Sequence, residues 1–157
     1  GTVGHAGPVP VDLPGHLRHL RELLVAGRTA DAIAILAEDE HASDPIAQLL
    51  RADLLLFSDR PDDALAVFDH AATLGPAHVL AASLGKATVL VRSGRAAEAR
   101  ALCDALVRDH PGASEPHEGR AQALLALGRG DEADAAFRQA LAAGAQRSHA
   151  HVRLARD

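Results

Sequence analysis

The run DRPDDALAVFDHAATLGP at residues 59–76 has a counterpart in GRGDEADAAFRQALAAG at residues 128–144. Each opens on a turn-forming pair, Asp59-Arg60 or Gly128-Arg129. Each reaches an alanine five residues on, Ala64 or Ala133, and a phenylalanine four residues later, Phe68 or Phe137. Working outward, Gly27-Arg28 leads in the same way to Ala32 and Leu36, and Gly94-Arg95 to Ala99 and Cys103. The four pairs begin at intervals of 32, 35 and 34 residues. Twelve residues before each alanine lies Leu20, Ala52, Ala87 or Ala121, and three residues later comes Leu23, Leu55, Leu90 or Leu124. Pro45, Pro76, Pro111 and Gly144 punctuate the ends. Small and apolar residues recurring with this period read as an internal helical repeat.

Composition agrees. Ala (35) and Leu (23) make up 58 of 157 residues, and both are strong helix formers. Ten Val, three Ile, four Thr, three Phe and neither Trp nor Tyr leave little from which to build a β-sandwich or barrel. The same scarcity removes the aromatic platforms that single-stranded nucleic acids stack on. A net charge of -5 gives no counterion-release drive toward DNA or RNA. No run of 18 apolar residues is present, so no membrane span is expected. A lone cysteine, Cys103, allows no internal disulfide and points to a reducing, cytoplasmic compartment.

The A-x-x-x-F elements Ala64–Phe68 and Ala133–Phe137, with the four in-phase copies around them, resemble the tetratricopeptide repeat family. The resemblance covers residues 13–147, as copies 13–44, 45–79, 80–113 and 114–147. It implies an all-α, right-handed α-solenoid of four helix-turn-helix repeats. Residues 148–157 are expected to add a C-terminal capping helix, and residues 1–12, rich in Gly and Pro, to form a flexible lead or expression scar. Helices are expected near 15–26, 29–40, 45–58, 61–74, 77–92, 96–109, 115–127 and 131–143, then 148–156. Asp44, Thr29, Ser114 and Ser148 are candidate N-caps, and Gly75-Pro76 a further helix start.

In the family, first helices of successive repeats line a concave groove that holds a peptide. The resemblance then places Leu17, Arg21 and Leu24 on that face, followed by Leu49, Leu50, Asp53, Leu56 and Phe57. The third copy contributes Leu84, Gly85, Thr88 and Arg92, and the fourth Glu118, Gly119, Gln122 and Leu125. The residues expected to carry binding are Leu17, Arg21, Leu24, Asp53, Leu56, Phe57, Thr88, Arg92 and Gln122. The Lys/Asn/Arg clamp by which part of the family grips C-terminal carboxylates is missing. Leu17, Arg21, Leu50, Ala81 and Gly85 stand there instead. Gly85 and Gly119 share one repeat position, read either as bare backbone for a ligand or as drift, with Ala expected to stabilise both.

The seventh repeat position holds His19, Arg51, Lys86 and Arg120, a row read chiefly as a solvated face with its stems on apolar neighbours. Ten histidines are present, among them His16, His19, His149 and His151, yet without the spacing of a metal motif. Asp62-Asp63 and Asp131-Glu132 begin second helices, where they complement the helix dipole. No catalytic residue, cofactor or metal is expected. The expected function is a non-catalytic scaffold or adaptor for a protein or peptide, without nucleic acid or membrane partners. Two alternatives stand beside it. One is a repeat domain of a larger regulator or enzyme, used in docking or self-association, which the missing initial Met suggests. The other is a histidine-dependent metal or cofactor protein.

Overall fold

The four Gly-Arg-type pairs turn out to be four copies of one hydrogen-bonded turn. A computed structural model describes residues 18–156, the side chains of 147–156 excepted. The lead 1–12 and Leu17 lie outside the described residues. The chain divides at Leu74–Gly75 into two compact units.

In the first unit, α1 (Arg18–Val25) packs on α2 (Thr29–Leu36), α2 on α3 (Pro45–Phe57) and α3 on α4 (Pro61–Ala72). A 3₁₀ turn at Asp39–His41 joins α2 to α3. In the second unit, a 3₁₀ turn at Pro76–His78 leads into α5 (Val79–Arg92), followed by α6 (Ala96–Asp109), α7 (Glu115–Ala126) and α8 (Gly130–Arg156). Each of these helices packs on the next, and α5 also reaches α7. The described residues are all-α, as the repeats require, and no described helix is long and apolar enough to cross a membrane.

Each first helix ends identically. The Leu23, Leu55, Leu90 and Leu124 carbonyls accept from the amides of Arg28, Arg60, Arg95 and Arg129 at 2.8–2.9 Å. The residue before each arginine has positive φ: Gly27 at 78°, Asp59 at 59°, Gly94 at 78° and Gly128 at 76°. This is the Schellman arrangement, which satisfies end carbonyls through one left-handed residue. Each arginine then pairs across the first turn of the second helix, with Asp31, Asp63, Glu98 or Glu132, at 2.6–2.9 Å. The dipeptide is therefore a joint whose first residue reverses the chain and whose second ties down the next helix.

The repeat arithmetic also locates the interior. Ala32, Ala64, Ala99 and Ala133 are all 0 % exposed, and Leu20, Ala52, Ala87 and Ala121 are buried with them. Leu23, Leu55, Leu90 and Leu124 are buried one turn on. Phe68 and Cys103 are buried, and Phe137 packs on a cluster of Ala121, Leu124, Ala133 and Ala136.

Three local expectations change. Asp44 caps α3 as expected, its Oδ1 accepting from the amides of Ile46 (3.0 Å) and Ala47 (3.4 Å). Thr29 is instead the first residue of α2, and neither the α2 nor the α7 start has a side-chain cap. α2 stops at Leu36 rather than near 40, because buried Gln48 holds its end. The Gln48 amide donates to the carbonyls of Leu36 (3.1 Å) and His41 (2.8 Å), and its Oε1 accepts from Arg51 (2.8 Å). No separate capping helix begins at 148. α8 runs unbroken through Gly144 and Ser148 to Arg156. Flanked by alanines and with no proline after it, Gly144 costs the helix only about 1 kcal/mol, too little to end it.

Asp59 is the one non-glycine residue with positive φ among those described. A left-handed conformation costs a residue with a Cβ roughly 1–2 kcal/mol, of which glycine returns part as added chain entropy. Asp59→Gly is therefore expected to stabilise the chain by up to about 1 kcal/mol. The measurement is the urea midpoint at unchanged slope; an unchanged or lower midpoint would contradict it.

Candidate functional site

The first helices present a surface in each unit, and the two differ. In the first unit Arg21 is exposed and Leu24 half-buried, while Phe57 is 71 % exposed. Leu50 and Leu56 are buried, so Leu56 packs inside rather than offering an anchor. Asp53 is exposed as a residue, yet partial burial of its carboxyl raises its pKa.

In the second unit the inner positions converge. Leu84, Ala87, Thr88 and Val91 of α5 face Glu115, Glu118, Gly119 and Gln122 of α7 across a hollow of about 250 Å³. Both sets follow the spacing i, i+3, i+4, i+7, one face of a helix. Leu84, Thr88, Glu118, Gly119 and Gln122 are expected on this face from the sequence, whereas Ala87, Val91 and Glu115 are not, although the same helical spacing selects them. Arg92 and Leu125 are exposed but do not line the hollow.

Gly119 explains how the helices come together. A Cβ there would stand 2.8 Å from the Cys103 Sγ of α6 and 4.0 Å from a Leu84 methyl of α5. The bare backbone therefore admits a neighbouring thiol, which neither the ligand reading nor drift anticipated. The expectation that Ala would stabilise this position is reversed. Cys103 itself is fully buried, and burial, with a smaller contribution from the Asp104 charge, pushes its thiol up to about 11. A thiol so disposed is a packing group and a poor nucleophile.

The basic row is engaged locally. Arg120 Nε lies 2.9 Å from Asp104 Oδ1 on α6, with Arg100 Nε at 3.7 Å from the same carboxylate. Arg51 donates to Gln48, and His19 Nδ1 lies 3.7 Å from Glu22. Among the histidines, His70 Nε2 is 2.8 Å from the Ala42 carbonyl. His41 is buried on the 3₁₀ turn with Nε2 3.5 Å from Glu40. Glu38, Glu40 and His41 bring three potential ligand atoms within 4.8 Å of one another, two of the residues being exposed carboxylates. His16 and the side chains of His149 and His151 lie outside the described residues.

A family model described as tetratricopeptide repeat matches residues 17–79, 49–114 and 84–148 in overlapping registers. No curated protein matches the sequence. Among solved structures, a crystal structure of MamA is similar over 85 % of this chain and 78 % of that one, with a TM-score of 0.67 and 18 % identity. MamA 41-end from Desulfovibrio magneticus RS-1 is similar over 80 % of this chain and 72 % of that one, at a TM-score of 0.64 and 22 % identity. These likenesses are of fold.

Two outcomes follow from the Gly119–Cys103 contact. Gly119→Ala is expected to lower stability by about 1–3 kcal/mol through overpacking. In a Cys103→Ala background the same change is expected to become neutral or stabilising, since room is restored and Ala favours helix. A denaturation double-mutant cycle with no coupling would refute the contact. The thiol also has a pH signature. Its folded pKa is raised from 9.0 to about 11, so its contribution is complete below pH 9 and is lost as pH rises through 11. Denaturant midpoints should fall over that window more steeply for the natural chain than for Cys103→Ala.

Proposed function

The chain belongs to the tetratricopeptide repeat family, and on that premise we propose that it is a non-catalytic scaffold that binds a protein or peptide on its first-helix faces. The observation that carries the reading is the hollow between α5 and α7. Buried residues anchor the two helices in the interior, Ala87 and Leu90 on one and Ala121, Ala123 and Leu124 on the other. Exposed Thr88, Glu118 and Gln122 interleave with them and face outward. A surface built before the partner arrives loses little entropy on binding. Leu24 and Phe57 offer apolar contact area in the first unit, with Arg21 and Asp53 as its polar companions. The buried thiol of Cys103 suits a reducing compartment, which we take to be the cytoplasm. The net charge of -5 argues for protein rather than nucleic acid as partner.

The test is selection of a random dodecapeptide library on the immobilised chain, followed by backbone amide shift mapping of the winners. Selected peptides are expected to bind with Kd of roughly 1–100 μM and to move the amides of Thr88, Glu118 and Gln122. A Thr88→Arg, Gln122→Arg variant, which fills the hollow, should weaken them at least about tenfold with an unchanged helical spectrum. No enrichment, or shifts confined to other faces, would refute the reading.

A further inference from the structure

The hollow has a definite chemistry. Its floor is apolar, from Leu84, Ala87 and Val91, with the bare backbone of Gly119 beside them. Its polar groups are Glu115, Glu118, Thr88 and Gln122, so two carboxylates and no cationic side chain line it. Ionised carboxylates only accept hydrogen bonds. The Thr88 hydroxyl donates inward to the Leu84 carbonyl at 3.2 Å, which leaves its oxygen to act as an acceptor toward the hollow. Gln122 adds an amide, whose carbonyl accepts and whose NH2 donates. Arg120, the cation next along α7, is held at Asp104 on α6. The α7 N-terminus contributes roughly half a positive charge, against the full negative charge of Glu118. The charge of the lining therefore disfavours an anion and favours a cation.

Size narrows the occupant. At about 250 Å³ the hollow falls below the roughly 300–1,000 Å³ of small-molecule and cofactor sites. An apolar floor beneath an acidic, acceptor-rich rim matches a long aliphatic stem ending in a cationic donor group. On the binding reading above, we propose that the α5/α7 hollow takes the lysine or arginine side chain of a bound peptide. The stem lies on Leu84 and Val91 and the head is held by Glu118. Charge-assisted hydrogen bonds of this kind are roughly twice as strong as neutral ones.

The experiment uses the full chain and four capped pentapeptides, Ala-Ala-X-Ala-Ala with X as Arg, Lys, Leu or Glu, titrated at millimolar concentration with amide shifts as readout. The Arg and Lys peptides are expected to move Thr88, Glu118, Gly119 and Gln122 saturably, and the Leu and Glu peptides are not. A Glu118→Gln variant should lose at least about tenfold in affinity, and added salt should weaken the natural chain more than the variant. Hollow shifts of equal size with the Leu or Glu peptide would overturn the cationic anchor while leaving the scaffold reading intact. Absence of hollow shifts with the Arg and Lys peptides would overturn it as well. The library selection, which is blind to charge, decides the scaffold reading separately: peptides that fill the hollow without a basic residue would keep that reading and remove the anchor.

Discussion

Close approach of helix backbones at four alanines is the constraint on which the rest depends. Ala32, Ala64, Ala99 and Ala133 have no solvent exposure, and each belongs to a second helix. A larger group there would have to displace a packed interior, and overpacking costs about 1–3 kcal/mol. Ala52, Ala87 and Ala121 make the matching allowance on first helices, where Leu20 stands in the first copy. Thin helix pairs follow, and thin pairs need few aromatic side chains. The three Phe and the absence of Trp and Tyr are thus a consequence of the spacing rather than a separate property of the chain.

The joints obey the same economy. A helix pair this tight leaves about three residues for the reversal, and the Schellman bond uses them to satisfy end carbonyls that water would otherwise reach poorly. Asp59 shows that the bond outweighs the backbone preference: it adopts φ 59° although a glycine would do so more easily. The arginine–carboxylate pairs that follow are exposed, each worth a few tenths of a kcal/mol. They recur because the turn places the arginine three residues ahead of the carboxylate each time, and their small contributions add across four joints.

This division explains what could be read in the residues and what could not. Features repeated with the period were legible: the hairpins, the buried alanines and leucines, the joints, and most of the α5/α7 face. Each is a local consequence of spacing. What escaped was particular to one copy and depended on a residue distant in sequence. Gln48 ends α2 from twelve residues away by capturing the Leu36 carbonyl. Gly119 is required by Cys103, sixteen residues earlier and on another helix. Leu56 was placed outside by register, whereas it is buried and its neighbour Phe57 is exposed. At Gly144 local propensity was misjudged in the other direction, since one glycine among alanines does not stop a helix.

The second unit joins these two kinds of information. Cys103 stands where the A-x-x-x-F pattern has an aromatic ring, and Gly119 meets its smaller sulfur at a separation that a Cβ would violate. The contact draws α7 onto α6 while Leu84 of α5 borders the same backbone. The hollow opens beside this junction and shares Leu84 and Gly119 with it. Along α7, buried Ala121, Ala123 and Leu124 interleave with outward Glu118 and Gln122. Along α5, buried Ala87, Val89 and Leu90 interleave with Thr88. Buried and outward-facing residues therefore alternate along the same helices. Surface changes of this sort usually shift stability by no more than about 0.5 kcal/mol, so charge and hydrogen bonding in the hollow can vary while the spacing of the alanines stays as it is. A repeat frame with a small-residue interior thereby leaves its outward residues free to vary without disturbing how it stands.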